Sequence, residues 1–586
     1  MNYLARERPE KHVKKLLALI AVLALAGCSN ETEQAEPMAA DAADASSPIA
    51  AEVAGGNPGA ELAAQEIADD YMRGIIVEIS DDRYEGRGPG TAGDAMAREY
   101  LAKRMEELGL EPGAADGSWQ QPFDLVGVNA QQPGEWTFAG HDKEMTLKQW
   151  DEFIVGSGVQ EERAVIEDAE LVFVGYGIQA PEYDWDDYKG VDLTGKVLLM
   201  MNNDPDWDPD LFGGETRLWY GRWDYKYLSA ARQGAAGAII IHTQPSAGYP
   251  FQVVQTSWTG EQFELPAGDE PRIQVAGWVT ENAARSLIEM NGFDLDELRE
   301  AADNRDFQPV PLGVTTSIGF DVTLNRVESA NVLGLIPGSD PDRRGEVVIY
   351  TAHHDHLGIG TPNEDGDAIY NGAMDNASGV AQVMAIARAI KALPEAPRRS
   401  VLVALVGAEE QGLLGSKYYA ENPTFPPGRI AANLNYDGGN IWGHTHDVTY
   451  IGLGKSSIDT IVQGIAEEQG RVVKPDQFAD RGYFYRSDQF SFAKIGVPAM
   501  YLDTGTDFVD RPPEWGREQV NHYTDVNYHQ PSDEYDDSWN FDGMIDHALL
   551  GFWAGLAIAN ADEMPRWNEG DEFEAARLEA LSEGAP

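Results

Sequence analysis

The sequence predicts an α/β protein: a mostly parallel sheet flanked by helices, with a smaller inserted αβ unit ahead of it. Three observations carry this. From about residue 330 onward, strand-length apolar runs alternate with segments of helical period. Runs such as EVVIYTAH and RSVLVALVG are too continuously apolar for a sheet that faces water on one side, so helices must cover both faces. Polar, metal-type side chains recur where these runs stop, and sheets of this kind carry their sites beyond the carboxyl ends of the strands.

The chain has 586 residues, enough for two or three domains. Its 43 Lys and Arg face 98 Asp and Glu, a formal net charge of -55, which disfavours nonspecific binding to nucleic acid or anionic membranes. Most of this charge reads as a solvated acidic surface. At the N-terminus, Arg6, Arg8, Lys11, Lys14 and Lys15 precede the apolar run Leu16 to Ala26, too short to span a bilayer. It leads into LAGC, ending at Cys28, and the whole is similar to a bacterial lipoprotein signal over 1–27. The resemblance implies cleavage before Cys28, lipid on that cysteine, and anchorage to a membrane. Ser29 in the next position implies sorting to the outer membrane. Cys28 is the only cysteine, so an exported chain has no internal disulfide to form. Residues 28–60, rich in Ala, Asp, Glu, Ser and Pro, read as a flexible tether.

After the tether, ELAAQEIADDYMRGIIVEIS has helical spacing. Asp81 to Gly93 is a glycine-rich loop, and Ala95 to Leu110 an amphipathic helix ending near Gly109. These two helices cannot bury much alone, so 61–160 is assigned to the domain that follows. A strand at Leu171 to Ile178 opens a compact αβ unit at 161–320. It continues with a turn and strand at Val191 to Asp204, then helix, glycine and buried strand from Tyr227 to Gln244. A strand at Pro271 to Thr280 and a helix from about Glu281 follow. The third region, 321–560, has strands at 331–338, 346–353, 399–407, 429–437 and 497–505, and helices at 377–393 and 456–470. The acidic stretch 561–586 is expected to pack little.

The chemistry gathers at the strand ends. YTAHHDHLGIG sets three histidines and an aspartate into four positions, 353 to 356, although the chain has only 11 histidines. Asp375 stands in NGAMDNASGV just before a helix, Glu409 and Glu410 follow a strand, Asp437 ends another, and His529 lies in NYHQPSDEY. One acidic residue at a strand end is ordinary; all of them at one sheet edge form a donor set for two close divalent cations. Such a centre needs a bridging carboxylate, an imidazole and a further carboxylate for each ion, and a free carboxylate to take a proton from water. Mixed imidazole and carboxylate donors suit zinc, with cobalt or manganese as substitutes.

As an ordered set, AHHDHLG, GAMDNASG, GAEEQGLLGS, YDGGN and YHQPSDEY resemble the M28 zinc peptidases, the aminopeptidase Y and transferrin-receptor-like group, over most of 60–560. The resemblance implies the zinc-peptidase fold, two Zn2+ per chain and peptide substrates. It implies His353, Asp375, Glu410, Asp437 and His529 as ligands, with Asp375 bridging. Glu409 is then the general base, and Asp355 orients His353 through its remaining ring nitrogen. Asn435, two positions before Asp437, competes for the last carboxylate position, and the Gly-Asn that follows Asp437 favours the latter. His354 reads as a packing residue, His356 as a hydrogen-bonding neighbour, and Ser487 and Asp488 in RSDQFSF as support for the pocket. VFVGYGIQAPEYDWDDYKGVDLTGKV and AARQGAAGAII resemble the protease-associated domain, which implies a lid or a substrate-restricting insert.

The expected activity is exopeptidase, with release of N-terminal residues favoured over C-terminal ones by family frequency. An acidic pocket residue would recognise an α-ammonium and an arginine a carboxylate, and composition cannot choose between them. A one-zinc glutaminyl-cyclase-like enzyme is disfavoured by the complete two-metal set, and a non-catalytic receptor-like protein by the presence of the base. No G-x-S-x-G supports a serine hydrolase, and in IGLGKSS Thr449 stands where a phosphate loop needs its first glycine.

Overall fold

The structure is a computed structural model that describes residues 58–583, apart from 210 and 364. The signal segment, Cys28 and most of the tether lie outside the described residues. Strands of four or more residues are numbered in chain order. They are β1 (Gln120–Ala130), β2 (Glu135–Ala139), β3 (Glu144–Lys148), β4 (Phe153–Ser157), β5 (Arg163–Phe173), β6 (Val197–Met201), β7 (Gly237–His242) and β8 (Glu261–Glu264). There follow β9 (Val275–Thr280), β10 (Val310–Ile336), β11 (Val347–His353), β12 (Ser400–Val406), β13 (Ile430–Asn435), β14 (Asp447–Ile451), β15 (Val472–Pro475) and β16 (Ala499–Asp503).

They form two sheets that share one strand. The first runs β8-β1-β10-β12-β11-β13-β16-β14-β15, and the second β3-β2-β10-β5-β6-β7-β9-β4. Strand β10 is 27 residues long. Its first half, Val310 to Asp321, pairs with β5 in the second sheet, and its second half, Val322 to Val332, pairs with β1 in the first. The second sheet also draws in residues 135–157, upstream of the expected start at 161.

The expectation of a mostly parallel sheet is corrected to a mixed one. Strands β12, β11, β13 and β16 are mutually parallel, while β10 runs antiparallel to β12 on one side and β14 antiparallel to β16 on the other. Strands β11, β12 and β13 are buried along their whole length, because helices cover both faces. On one face lie the helices Ser378–Lys391 and Asp542–Asn560. Gly551 and Gly555 of the second helix are required by close approach: a Cβ at either would collide with the hydroxyl of Tyr436 or Tyr350. The short helices Leu414–Glu421 and Gln489–Lys494 cover the other face.

The end of the chain departs from its expectation. Helix Glu574–Glu583 packs back on the body, with Trp567 and Phe573 buried and the Arg577 guanidinium donating to the carbonyl of Ile430 at 2.9 Å, at the start of β13. A few large apolar side chains in an acidic stretch suffice, because each aromatic buries 150–250 Å². Among the described residues, no helix is long and apolar enough to cross a membrane.

Candidate metal centre

The parallel strands of the first sheet deliver their side chains to one edge. His353 is the last residue of β11, Glu409 and Glu410 follow β12, and Asp437 lies two residues past β13. Ala408 (φ +56°) and His529 (φ +58°) adopt left-handed backbone, which turns the chain sharply beside two of these groups. Asp375 sits in the turn before helix Ser378–Lys391.

Two triads form around Asp375. Its Oδ1 lies 3.2 Å from His353 Nε2, which is also 3.2 Å from Asp437 Oδ1. Its Oδ2 lies 3.3 Å from His529 Nε2, which is 3.1 Å from Glu410 Oε2. A tetrahedral ion with ligands at about 2.0–2.1 Å has ligand–ligand edges of about 3.3 Å. The two histidine–carboxylate edges of each triad therefore match the edges of such a tetrahedron, and one carboxylate serves both. This donor set fits a binuclear, two-zinc-type centre. Glu409 stands aside from the triads, with Oε2 3.9 Å from His353 Nε2. Burial, with Asp437 and Glu410 adding repulsion, pushes Glu409 well above the ordinary carboxylate range. Burial acts on Glu410 in the same direction, but His529 and His356 outweigh it and hold it at about 2.

The surrounding groups hold the donors in place. His353 Nδ1 faces Asp355, whose main-chain oxygen at 3.2 Å is closer than its carboxylate oxygen at 3.7 Å. The expected contact of the ring with Asp355 is thus made first by the main chain, while the Asp355 carboxylate accepts the Glu409 N–H at 3.1 Å. His356 Nδ1 lies 2.6 Å from Glu410 Oε1, the oxygen turned away from His529. His354 is buried with neither ring nitrogen hydrogen-bonded. Ser487 donates to Asp437 Oδ2 at 2.6 Å. Asp488 is buried, neither of its oxygens has a hydrogen-bond partner, and burial raises it to about 7. Asn435 turns away from the centre toward Thr351, Ser487 and Gln489.

Two residues of this scaffold went unremarked in the sequence. Arg87, in the glycine-rich loop, is fully buried and donates to the carbonyls of Ile79, His354, Asn371 and Gly372, between 2.6 and 2.9 Å. It ties the loop after β11 to the loop of Asp375. Asp533, four residues past His529, accepts the main-chain N–H groups of Met374 and Asp375, each at 3.0 Å, and the Tyr523 hydroxyl at 3.1 Å. An arginine set between two glycines, Gly86 and Gly88, and an aspartate four residues past a candidate ligand were the available signals.

Residues 331–552 match the description of peptidase family M28. Leupeptin-inactivating enzyme 1 of Streptomyces exfoliatus is 29% identical over 213 residues, covering 35% of this chain and 44% of that protein. Aminopeptidase NAALADL1 of Mus musculus is 35% identical over 296 residues, covering 42% of this chain and 35% of that protein. In both cases the chain matches less than half of the relative's length. A solved aminopeptidase from Aneurinibacillus sp. strain AM-1 aligns over 87% of this chain and 97% of its own, at 19% identity and a TM-score of 0.46. The matched segment, 331–552, carries both triads and Glu409.

Proposed function

We propose that the chain is a two-zinc exopeptidase that releases N-terminal residues from peptides. One observation carries the reading: the two oxygens of Asp375 face different histidines, each with its own second carboxylate, and the free carboxylate of Glu409 stands beside them. His353, Asp375 and Asp437 would hold one ion, and Asp375, Glu410 and His529 the other. When bound, the ions would acidify water and polarise the scissile carbonyl. Glu409 takes the proton of the attacking water on a carboxylate oxygen and delivers it to the leaving amine as the C–N bond breaks. Asp355, His356 and Ser487 fix the orientation of His353, Glu410 and Asp437.

Asp503 supports the N-terminal direction. It ends β16 within electrostatic reach of Asp437, is exposed, and forms no ion pair among the described residues. Such a carboxylate suits the α-ammonium of a substrate. The second sheet, with its helices, serves on this reading as a protease-associated lid. Residues 1–27 act as an export signal, and lipid on Cys28 holds the enzyme in the bacterial outer membrane. The test is incubation of the protein, metal-loaded and metal-stripped, with a mixed peptide set, and product mapping by mass spectrometry. Loss of single N-terminal residues only with metal is expected; loss from the C-terminus would reverse the direction. No cleavage with two ions bound per chain would overturn the reading.

A further inference from the structure

The C-terminal segment carries a charge cluster that the metal centre does not use. Lys455, in the turn after β14, points its ammonium at Asp571 Oδ2 at 2.8 Å and at Glu572 Oε1 at 2.9 Å. Both acidic side chains are only 8% exposed. Charges taken this far out of water repay their desolvation only with good geometry and further hydrogen bonds. Glu572 has such a bond: the Tyr485 hydroxyl donates to the same Oε1 at 2.6 Å. Aromatic rings surround the cluster. Phe573 stacks on Phe484 at 5.8 Å, and Trp567 lies 5.1 Å from Phe573. Their burial holds the segment against the body, but burial is non-directional and does not fix a register. The hydrogen bond to Glu572 does, and it sets where the Tyr485 phenol stands.

Tyr485 ends the helical turn Tyr483–Tyr485, two residues before Ser487. From this turn a chain of hydrogen bonds runs to the centre. The Phe484 carbonyl accepts Gln489 Nε2 at 2.7 Å. Asn435 Nδ2 donates to Gln489 Oε1 at 2.9 Å and to Ser487 Oγ at 2.7 Å. Ser487 in turn donates to Asp437 Oδ2 at 2.6 Å, and the other oxygen, Oδ1, is the one beside His353 Nε2. Tyr485, Gln489, Asn435 and Ser487 are all buried, so none of them has water as an alternative partner close by. A shift of the turn is therefore passed to Asp437. Asp437 belongs to the His353 triad alone, and the His529 triad is held by other groups, His356 and Asp533. Asp571 and Glu572 lie beyond residue 552, where the match to peptidase family M28 ends.

We propose that Glu572 is a positioning residue for the metal centre: by holding Tyr485 it fixes the turn that sets Ser487 on Asp437, so the C-terminal segment tunes the ion of the His353 triad and not that of the His529 triad. This role rests on the two-ion reading of the centre, and not on which end of a peptide is cleaved.

Co2+ is titrated into the metal-stripped full chain, and visible absorption with calorimetry follows the two binding steps. In Tyr485→Phe and in Glu572→Ala one step is expected to weaken ~10-fold, as loss of groups that orient ligands does, and the other to stay within about twofold of the wild type. Glu572→Gln keeps an acceptor for the phenol and should recover most of the loss. Ser487→Ala should show the same selective loss, and Tyr485→Phe added to it should cost almost nothing more, because groups on one path are not additive. Tyr485→Phe removes a single oxygen and keeps the packing, so the test survives a Glu572→Ala protein that fails to fold. Thermal melts of the metal-free variants record the fold separately. Equal weakening of both steps, additive losses in the Ser487→Ala, Tyr485→Phe double variant, or wild-type affinity at both steps in Tyr485→Phe overturns the role. Selective loss of one step supports it even if no peptide is cleaved, an outcome that would overturn the exopeptidase reading alone.

Discussion

The carboxylate of Asp533 accepts the main-chain N–H of Asp375 at 3.0 Å, so the residue placed to bridge two ions is held through its backbone by the loop that carries His529. Its other oxygen accepts Met374 N–H at 3.0 Å. Removal of this clamp should loosen both triads at once. Asp533→Ala is expected to weaken metal binding by ~10–100-fold, as loss of groups that orient ligands does. Titration of metal into the stripped protein, followed by elemental analysis, checks this.

Glu409 lies 3.9 Å from His353 Nε2 and belongs to neither triad. Glu409→Gln should therefore keep two ions per chain while kcat falls by ~10²–10⁴. Turnover within tenfold of the wild type would remove Glu409 from its proposed role.

Arg87 is a stability residue for the site. Replacement by Met leaves four main-chain carbonyls without their buried donor. Each unsatisfied acceptor costs about 1–3 kcal/mol, so Arg87→Met should lower the unfolding free energy of the metal-free protein, read from denaturant titration, by at least about 3 kcal/mol. Because the test omits metal, a mere change in ion affinity would leave it unmoved.

His547 gives a pH dependence of known sign. Burial, with repulsion from Arg471, holds its pKa well below the ordinary histidine value. Below about pH 6.5 the unfolded chain binds a proton there that the folded chain does not, so stability falls as pH falls, by up to ~1.4 kcal/mol per pH unit from this group. His547→Gln should lose less stability than the wild type between pH 7 and 5.5. Parallel thermal melts at the two pH values test the difference.

The C-terminal segment contributes to the fold. Trp567 is buried, donates its indole N–H to the Gly496 carbonyl at 3.0 Å and packs on Phe573 at 5.1 Å between ring centres. Trp567→Ala should cost about 3–5 kcal/mol in equilibrium unfolding. A cost below about 1 kcal/mol would mean that the segment is only loosely attached.

Four of the groups that the structure gathers into the triads were legible in the sequence because His353, Glu410 and Asp437 stand at or just past the ends of apolar strands and Asp375 at the start of a buried helix; His529, past the largely exposed helix Trp515–Val526, was legible only through the resemblance. The choice between Asp437 and Asn435 needed the fold: Asn435 ends the strand that Asp437 follows, and only the geometry shows Asn435 turned toward Thr351 and Ser487. Arg87 and Asp533 stayed hidden because they act on main-chain groups, which carry no side-chain signature. Strand direction was equally silent. The antiparallel members β10 and β14 flank a parallel centre, and a strand buried on both faces reads as the same apolar run in either direction. In the terminal stretch, Trp567 and Phe573 were outweighed by the acidic residues around them.

Strand β10 crosses from one sheet to the other without a break between Val310 and Ile336. A hinge would need a loop at that crossing, where a few residues absorb a large dihedral change. Here the crossing is itself a ladder, paired on one side with β5 and then with β1. Large rigid-body opening of the two layers would tear those rungs. Peptide therefore has to reach the candidate centre without wholesale separation of the two sheets.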